Sequence, residues 1–443
     1  MEYDLGIRAD YLIPLSTDQK TKALDVLKDQ FVGIKGSSIK TVTKFTDTLA
    51  SSSKKFIHAK NKVLMPGLIN GHNHLPMVLM RGIADDLTFD EWLMKTIIPI
   101  ESKLVDEEFV QIGTNLAVLE CIRLGVTTLN DMYYFEDVVA DVADKAGLRG
   151  FFAEGILDFP TPDTKTDPSN AYRILEKMVE KYSKHERIHT SIAPHAPYTV
   201  SDAGFKKAKS FSDKHSIMLH THVSETKTEV ETSLKEFKKT PTQRLFDLGI
   251  MSERTVFAHG IHLSGADIDL LARTKTSVIH NPESNLKLGA GIAPLQKLFK
   301  GPVMVGLGTD GAASNNDLNM FCEMDVAAKM QKFIFGGNSP IKAKQILKMA
   351  TSNGAKALGL KNVGKIAEGM LADMITVDLS EPSMHPIFNL VSNLVYASGN
   401  AVVNDVICHG KLLMENREFK TLDPEKIYSE AKRMQKKIET LLS

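Results

Sequence analysis

Val63-Leu64-Met65-Pro66-Gly67-Leu68-Ile69-Asn70-Gly71-His72-Asn73-His74 is an apolar run that closes on two histidines one residue apart. In a strand, side chains two residues apart share a face, so His72 and His74 point the same way. Three more clusters sit where an apolar or β-branched run ends: His222-Val223-Ser224-Glu225, Ala258-His259 and Thr309-Asp310-Gly311. Segments this far apart meet only if the fold gathers their ends. A parallel barrel does so, because each strand delivers its C-terminal end to one face.

The chain between these clusters alternates strand-like with helical stretches. Strands are predicted over residues 63–74, 126–134, 149–157, 188–198, 216–223, 255–262, 276–280 and 303–309, and helices over 107–124 and 171–182, among others. Eight such units meet the need of a (β/α)8 barrel closed by right-handed crossovers, an α/β fold. Both ends are different in style, with short strands between turn residues, such as Phe31-Val32-Gly33-Ile34 and Ala372-Asp373-Met374-Ile375-Thr376-Val377. Residues 1–65 and 366–443 are therefore expected to build one small β-sandwich-like domain, and residues 66–365 the barrel. A closing helix is predicted over 424–442.

Lys+Arg and Asp+Glu both number 54 in the 443 residues, which gives no electrostatic reason to expect nucleic acid or an anionic membrane as partner. Three widely spaced cysteines without a CxxC motif suit reduced thiols in a cytoplasmic protein. The acidic start, Met1-Glu2-Tyr3-Asp4, does not read as a signal peptide, and no apolar window is long enough for a membrane span. The composition leaves homo-oligomerisation open.

His72, His74, His222 and Asp310 together make a three-histidine, one-carboxylate set for one divalent metal with a position left for water. Singly, each has another reading: an isolated His-x-His fits two partly exposed loop histidines, and Asp310 fits a helix cap. His222 is preferred to His220 because Glu225 follows it by three residues; His220 is expected to be a hydrogen-bonded core histidine. Imidazoles plus a carboxylate suit zinc, with ferrous iron or manganese as alternatives. No lysine stands at these strand ends, which speaks against a bridged two-metal site.

A bound zinc brings the pKa of its water towards ~7, which supplies a nucleophile at neutral pH. If it attacks an amino-bearing ring carbon, an acid must protonate the ring nitrogen. Glu225 is placed for that role, although it also fits a surface glutamate in the charged stretch 225–239. His259 would orient the attacking water or close its strand as an ordinary histidine, and Asp310 could take the water's proton.

These residues resemble the signature of the amidohydrolase superfamily. Met80-Arg81-Gly82-Ile83-Ala84-Asp85-Asp86-Leu87, Glu91-Trp92-Leu93, Pro99-Ile100-Glu101, Ala193-Pro194-His195-Ala196-Pro197-Tyr198, Asn281-Pro282-Glu283-Ser284-Asn285-Leu286-Lys287-Leu288-Gly289 and Gly308-Thr309-Asp310-Gly311-Ala312-Ala313-Ser314-Asn315-Asn316 are similar to the methylthioadenosine/S-adenosylhomocysteine deaminase group, near the triazine hydrolases. The resemblance runs over essentially the whole chain. It implies metal ligation by His72, His74, His222 and Asp310, proton transfer by Glu225, and assistance to the attacking water by His259. It also implies that Trp92 lines the pocket, that Glu101 accepts hydrogen bonds from ribose hydroxyls, and that His195 contacts the substrate near the sugar. Read without it, Trp92 is equally a core residue and Glu101 a helix start.

The expected reaction is hydrolytic deamination of a 6-aminopurine nucleoside. Guanine, pterin or triazine rings, or a non-catalytic barrel scaffold, are the alternatives. One departure stands out. The resemblance implies arginines after the third strand in members that hold the carboxylate of S-adenosylhomocysteine, but this chain has Glu154 there. A carboxylate at that place predicts preference for an uncharged 5′ group.

Overall fold

The computed structural model describes residues 1–16, 25–165, 167, 169–399 and 403–442. Eight parallel strands lie in sequence order, Leu68–Asn73, Val126–Tyr133, Arg149–Ile156, Ile188–Pro194, Met218–Val223, Thr255–His259, Ser277–His280 and Val305–Leu307. They are buried on both faces, as a parallel sheet covered by helices requires; all eight residues of the second strand are buried. Helices such as Glu107–Arg123, Glu136–Ala146 and Asn170–Tyr182 return the chain between them.

The barrel closes between its first and eighth strands. The Asp310 amide donates to the His72 carbonyl at 2.9 Å. The Asn70 side chain grips Thr309 twice, accepting from its amide at 2.9 Å and donating to its Oγ1 at 2.7 Å. Gly308 permits this approach, since a Cβ there would lie 2.7 Å from the His72 nitrogen.

Strands from both ends of the chain form a second sheet of eight strands. Its order begins with Glu418–Phe419, Lys411–Glu415, Val403–Cys408 and Met374–Asp378, then continues through Ser53–Pro66, Tyr3–Leu12, Leu27–Lys35 and Ser38–Lys44. It encloses a core of Ile7, Val32, Ile34, Ile39, Met374 and Ile407, so that residues from both termini pack together.

The stretch 63–74 predicted as one strand is in fact two. Met65 and Pro66 pair in the small sheet, whereas Leu68 opens the barrel. The crossing falls at Gly67, where a Cβ would lie 2.1 Å from Thr127 Oγ1. The closing helix, Pro424–Leu442, lies against the barrel helix Glu107–Arg123 and buries Met434 and Ile438 there.

Arg149, at the base of the third strand, is 1% exposed and forks onto Asp373 of the small sheet's approach, Nε to Oδ2 at 2.7 Å and Nη2 to Oδ1 at 3.3 Å. Its Nη1 donates to the Glu186 carbonyl at 2.8 Å, and Asp373 Oδ1 also accepts from the His409 amide at 2.6 Å. Removing one partner strands a buried charge, so Asp373→Ala is expected to cost about 3–5 kcal/mol. Scanning calorimetry of the variant reads this, and an unchanged melting temperature would refute it.

Candidate metal centre and active site

The C-terminal ends of the first, fifth, sixth and eighth strands bring four donors together. One ligand atom each from His72, His222, His259 and Asp310 lies within 4.8 Å of all the others. His74 joins them: its Nε2 is 3.1 Å from Asp310 Oδ1 and 3.4 Å from His222 Nε2. His72 Nε2 is 3.2 Å from the same Asp310 oxygen. Two of these residues sit in the left-handed backbone region, His259 at φ 71° and Asp310 at φ 63°, a conformation that turns each side chain inward as its strand ends.

Hydrogen bonds outside the cage set the tautomers. His74 Nδ1 contacts the Met132 carbonyl at 2.6 Å, His222 Nδ1 the His195 carbonyl at 2.8 Å, and His259 Nδ1 the Asn285 side-chain oxygen at 2.8 Å. An oxygen there accepts, so Nδ1 carries a proton in each ring; Nε2 of His222 and His259 presents its lone pair to the centre, and Nε2 of His74 would do so once a cation displaces its proton. His72 is fully buried, its Nδ1 is 3.1 Å from His220 Nε2, and its Nε2 has no hydrogen-bond partner. Asp310 is oriented by two hydroxyls, Ser284 Oγ at 2.7 Å and Ser314 Oγ at 2.9 Å, both donating to Oδ2.

Burial lowers the pKa of His72 to about 4 and holds His222 and His259 below the usual histidine range. For His74, burial is outweighed by Asp310, the Met132 carbonyl and Asp131, which raise it to about 9. Burial opposes ionisation of Asp310, yet His72 and His74 overcome it and keep the carboxylate charged. An orphaned buried imidazole nitrogen, inward lone pairs and one ionised carboxylate fit a divalent cation.

Glu225 lies one step beyond the fifth strand, 5% exposed, with Oε1 3.6 Å from His259 Nε2. Burial, reinforced by Asp310, pushes its pKa well above the usual carboxylate range. Glu225, His74, His222, His259 and Asp310 open onto one cavity, whose wall also includes Phe89, Trp92, Leu93, Tyr133 and Tyr134. Trp92 donates its indole N–H to the Ala313 carbonyl at 3.1 Å. Glu101 lies in the cavity wall and accepts from Tyr133 OH at 2.6 Å; burial raises its pKa to about 7 against Tyr133 and His74. His195 lines the same cavity, with Nδ1 2.8 Å from Thr199 Oγ1.

Thus Trp92, Glu101 and His195 all reach the cavity with Glu225, and only His72 stays behind it. His220 is a buried, hydrogen-bonded histidine as expected. Glu154 is different. Its carboxyl turns away from the cavity and accepts from the Phe135 and Glu136 amides at 3.2 and 2.7 Å; the neighbouring Gly155 lines the cavity instead. Burial, with Asp163 adding to it, raises its pKa well above the usual carboxylate range. The sequence reading passed over Asn285, Ser284, Ser314 and Tyr133, which orient His259, Asp310 and Glu101.

The family model for the amidohydrolases matches residues 63–413. The chain belongs to the amidohydrolase family. This amidohydrolase is 39% identical over 412 residues to a 5-methylthioadenosine/S-adenosylhomocysteine deaminase of Aquifex aeolicus, covering 93% of this chain and 95% of the relative. It is 38% identical to a 5'-deoxyadenosine deaminase of Methanosphaera stadtmanae, with 92% and 95% covered. A crystal structure of an adenosine deaminase from Xanthomonas campestris with bound zinc superimposes with a TM-score of 0.94 at 36% identity, covering 99% of each chain. The amidohydrolase carries a divalent-metal site. Among the described residues no helix is long and apolar enough to cross a membrane.

The amidohydrolase also buries non-ligand histidines as neutral rings. Burial brings His195 and His280 down to about 3, whereas an unperturbed histidine titrates near ~6.5. Between these values the unfolded chain binds more protons than the folded one, so stability falls as pH drops through that window. Thermal melting between pH 7 and pH 4 reads the loss; a flat profile would refute it.

Proposed function

We propose that this amidohydrolase deaminates adenosine-type nucleosides hydrolytically, with a single zinc ion held by His72, His74, His222 and Asp310. The observation that carries the reading is Glu225: a buried carboxyl, its pKa raised by burial, that faces His259 at the edge of the histidine cage and opens onto a largely apolar cavity. When bound, the ion supplies a water acidic enough to attack at neutral pH.

Each residue then has a separate task. Glu225 holds a proton for the ring nitrogen next to the amino-bearing carbon. His259, with Nδ1 fixed by Asn285, presents Nε2 to the attacking water. Asp310 Oδ1 faces the centre and can take the water's proton, while Oδ2 stays occupied by Ser284 and Ser314. The aromatic walls around Trp92 suit a flat base. Glu101 accepts hydrogen bonds, which favours a ribose over a free base. His195 stands beside His222 with ring centroids 4.7 Å apart and is placed to contact the sugar.

The 5′ preference now rests on a different ground from the charge of Glu154. Among the described residues that line the cavity, none is an arginine or lysine. A 5′ group ending in a carboxylate would be desolvated there without a cationic partner, at a cost uncharged groups avoid. Methylthioadenosine and 5′-deoxyadenosine are accordingly expected to exceed S-adenosylhomocysteine in kcat/KM. The decisive measurement is ammonia release by the metal-loaded protein from a panel of these nucleosides, guanine and aminotriazines. Turnover of guanine or a triazine with none of the nucleosides would overturn the function, and preference for S-adenosylhomocysteine would overturn the 5′ assignment alone.

A further inference from the structure

Thr226-Lys227-Thr228-Glu229 has the pattern of a capping box, a threonine at the helix N-cap and a glutamate three residues on. The helix Lys227–Phe237 uses half of it: the Thr226 side chain accepts from the Glu229 amide at 3.1 Å. The other half is diverted. Instead of returning to the Thr226 amide, the Glu229 carboxylate reaches past it. Oε1 accepts from the Ser224 amide at 2.9 Å and Oε2 from the Glu225 amide at 2.8 Å.

Those two amides belong to the link between the fifth barrel strand and the helix. Ser224 adopts the left-handed conformation, φ 54°, which an L residue keeps only where its surroundings hold it. Its carbonyl is gripped as well, accepting from the Ile261 and His262 amides at 3.0 and 2.9 Å just after the sixth strand. Glu229 is 8% exposed and lines a second cavity, which also borders Tyr198 and Arg244. Among the described residues the Glu229 carboxyl bonds only these two amides, which oppose the burial that raises its pKa to about 7, and Thr226 already caps the helix.

We infer that Glu229 is a positioning residue for Glu225: its paired oxygens fix the Ser224–Glu225 backbone so that the Glu225 carboxyl is held against His259. This rests on the reading of Glu225 as the proton carrier. The chemistry demands a carboxylate. Glutamine has one acceptor oxygen, and its NH2 group would face a backbone donor, so one of the two bonds is lost.

The test is a double-mutant cycle on the metal-loaded enzyme with methylthioadenosine, in which kcat, KM, metal content and melting temperature are measured. Glu229→Gln is expected to lower kcat by about 10- to 100-fold, the scale of a small misplacement of a catalytic group, with KM and metal content essentially kept. In a Glu225→Gln background the same change should have almost no further effect, because the group it positions is gone. Thr226→Ala, which removes only the helix cap, should lower the melting temperature and leave kcat alone. If Glu229→Gln does not fold, Glu229→Asp, too short to reach both amides, takes its place in the cycle. A near-parental kcat for Glu229→Gln, or an equal loss in both backgrounds, overturns the inference. Near-parental activity of Glu225→Gln alone would instead remove the proton carrier itself, and the inference with it.

Discussion

Glu225→Gln is expected to keep its metal and lose about 10²- to 10⁴-fold in kcat, the usual contribution of a positioned acid–base group. Glutamine fills the same space beside His259 but has no proton to give, so binding is little altered. KM should therefore move far less than kcat. The parent enzyme should show the matching pH behaviour. The raised pKa of Glu225 has burial as its first cause, with Asp310 adding to it. A raised pKa extends the acid form to higher pH, and kcat should fall on the alkaline side, as the carboxyl ionises. In Glu225→Gln that limb should vanish. A variant with near-parental turnover would remove Glu225 from the reaction.

Asp310→Ala should abolish turnover altogether, because it removes the only carboxylate of the cage and the oxygen on which His72 and His74 converge. Chelation of the parent protein should have the same effect on activity. Both should also lower the melting temperature. A ligand present at 1,000 times its Kd stabilises the folded state by about 4 kcal/mol, and that contribution goes with the ion. Metal analysis with calorimetry checks the pair of effects. Full metal occupancy in Asp310→Ala would refute the assignment of the carboxylate as a ligand.

Much of the barrel was legible because its strands are buried on both faces and end on residues that no apolar run would otherwise carry. His72, His222, His259 and Asp310 could be aligned on one face by that logic alone. What escaped was set by partners remote in sequence. Val63 and Leu68 read as one strand because nothing local says that Gly67 must pass against Thr127. Asn285 and Ser284 stand in a recognisable motif, but their roles depend on His259 and Asp310, 26 residues away in each case. Glu154 was misjudged for a related reason: it stands two residues before the end of its strand, yet its carboxyl is drawn to the amides that begin the helix Glu136–Ala146. Glu229 lies in a stretch of alternating charge that reads as solvated surface, and only the fold turns it inward.

The hydrogen bond from the Asp310 amide to the His72 carbonyl joins the start of the barrel to its end. A growing polypeptide that has not yet reached residue 310 already holds all of the histidines of the cage but lacks the carboxylate on which His72 and His74 converge. The full donor set of the centre therefore exists only once the eighth barrel strand has been made.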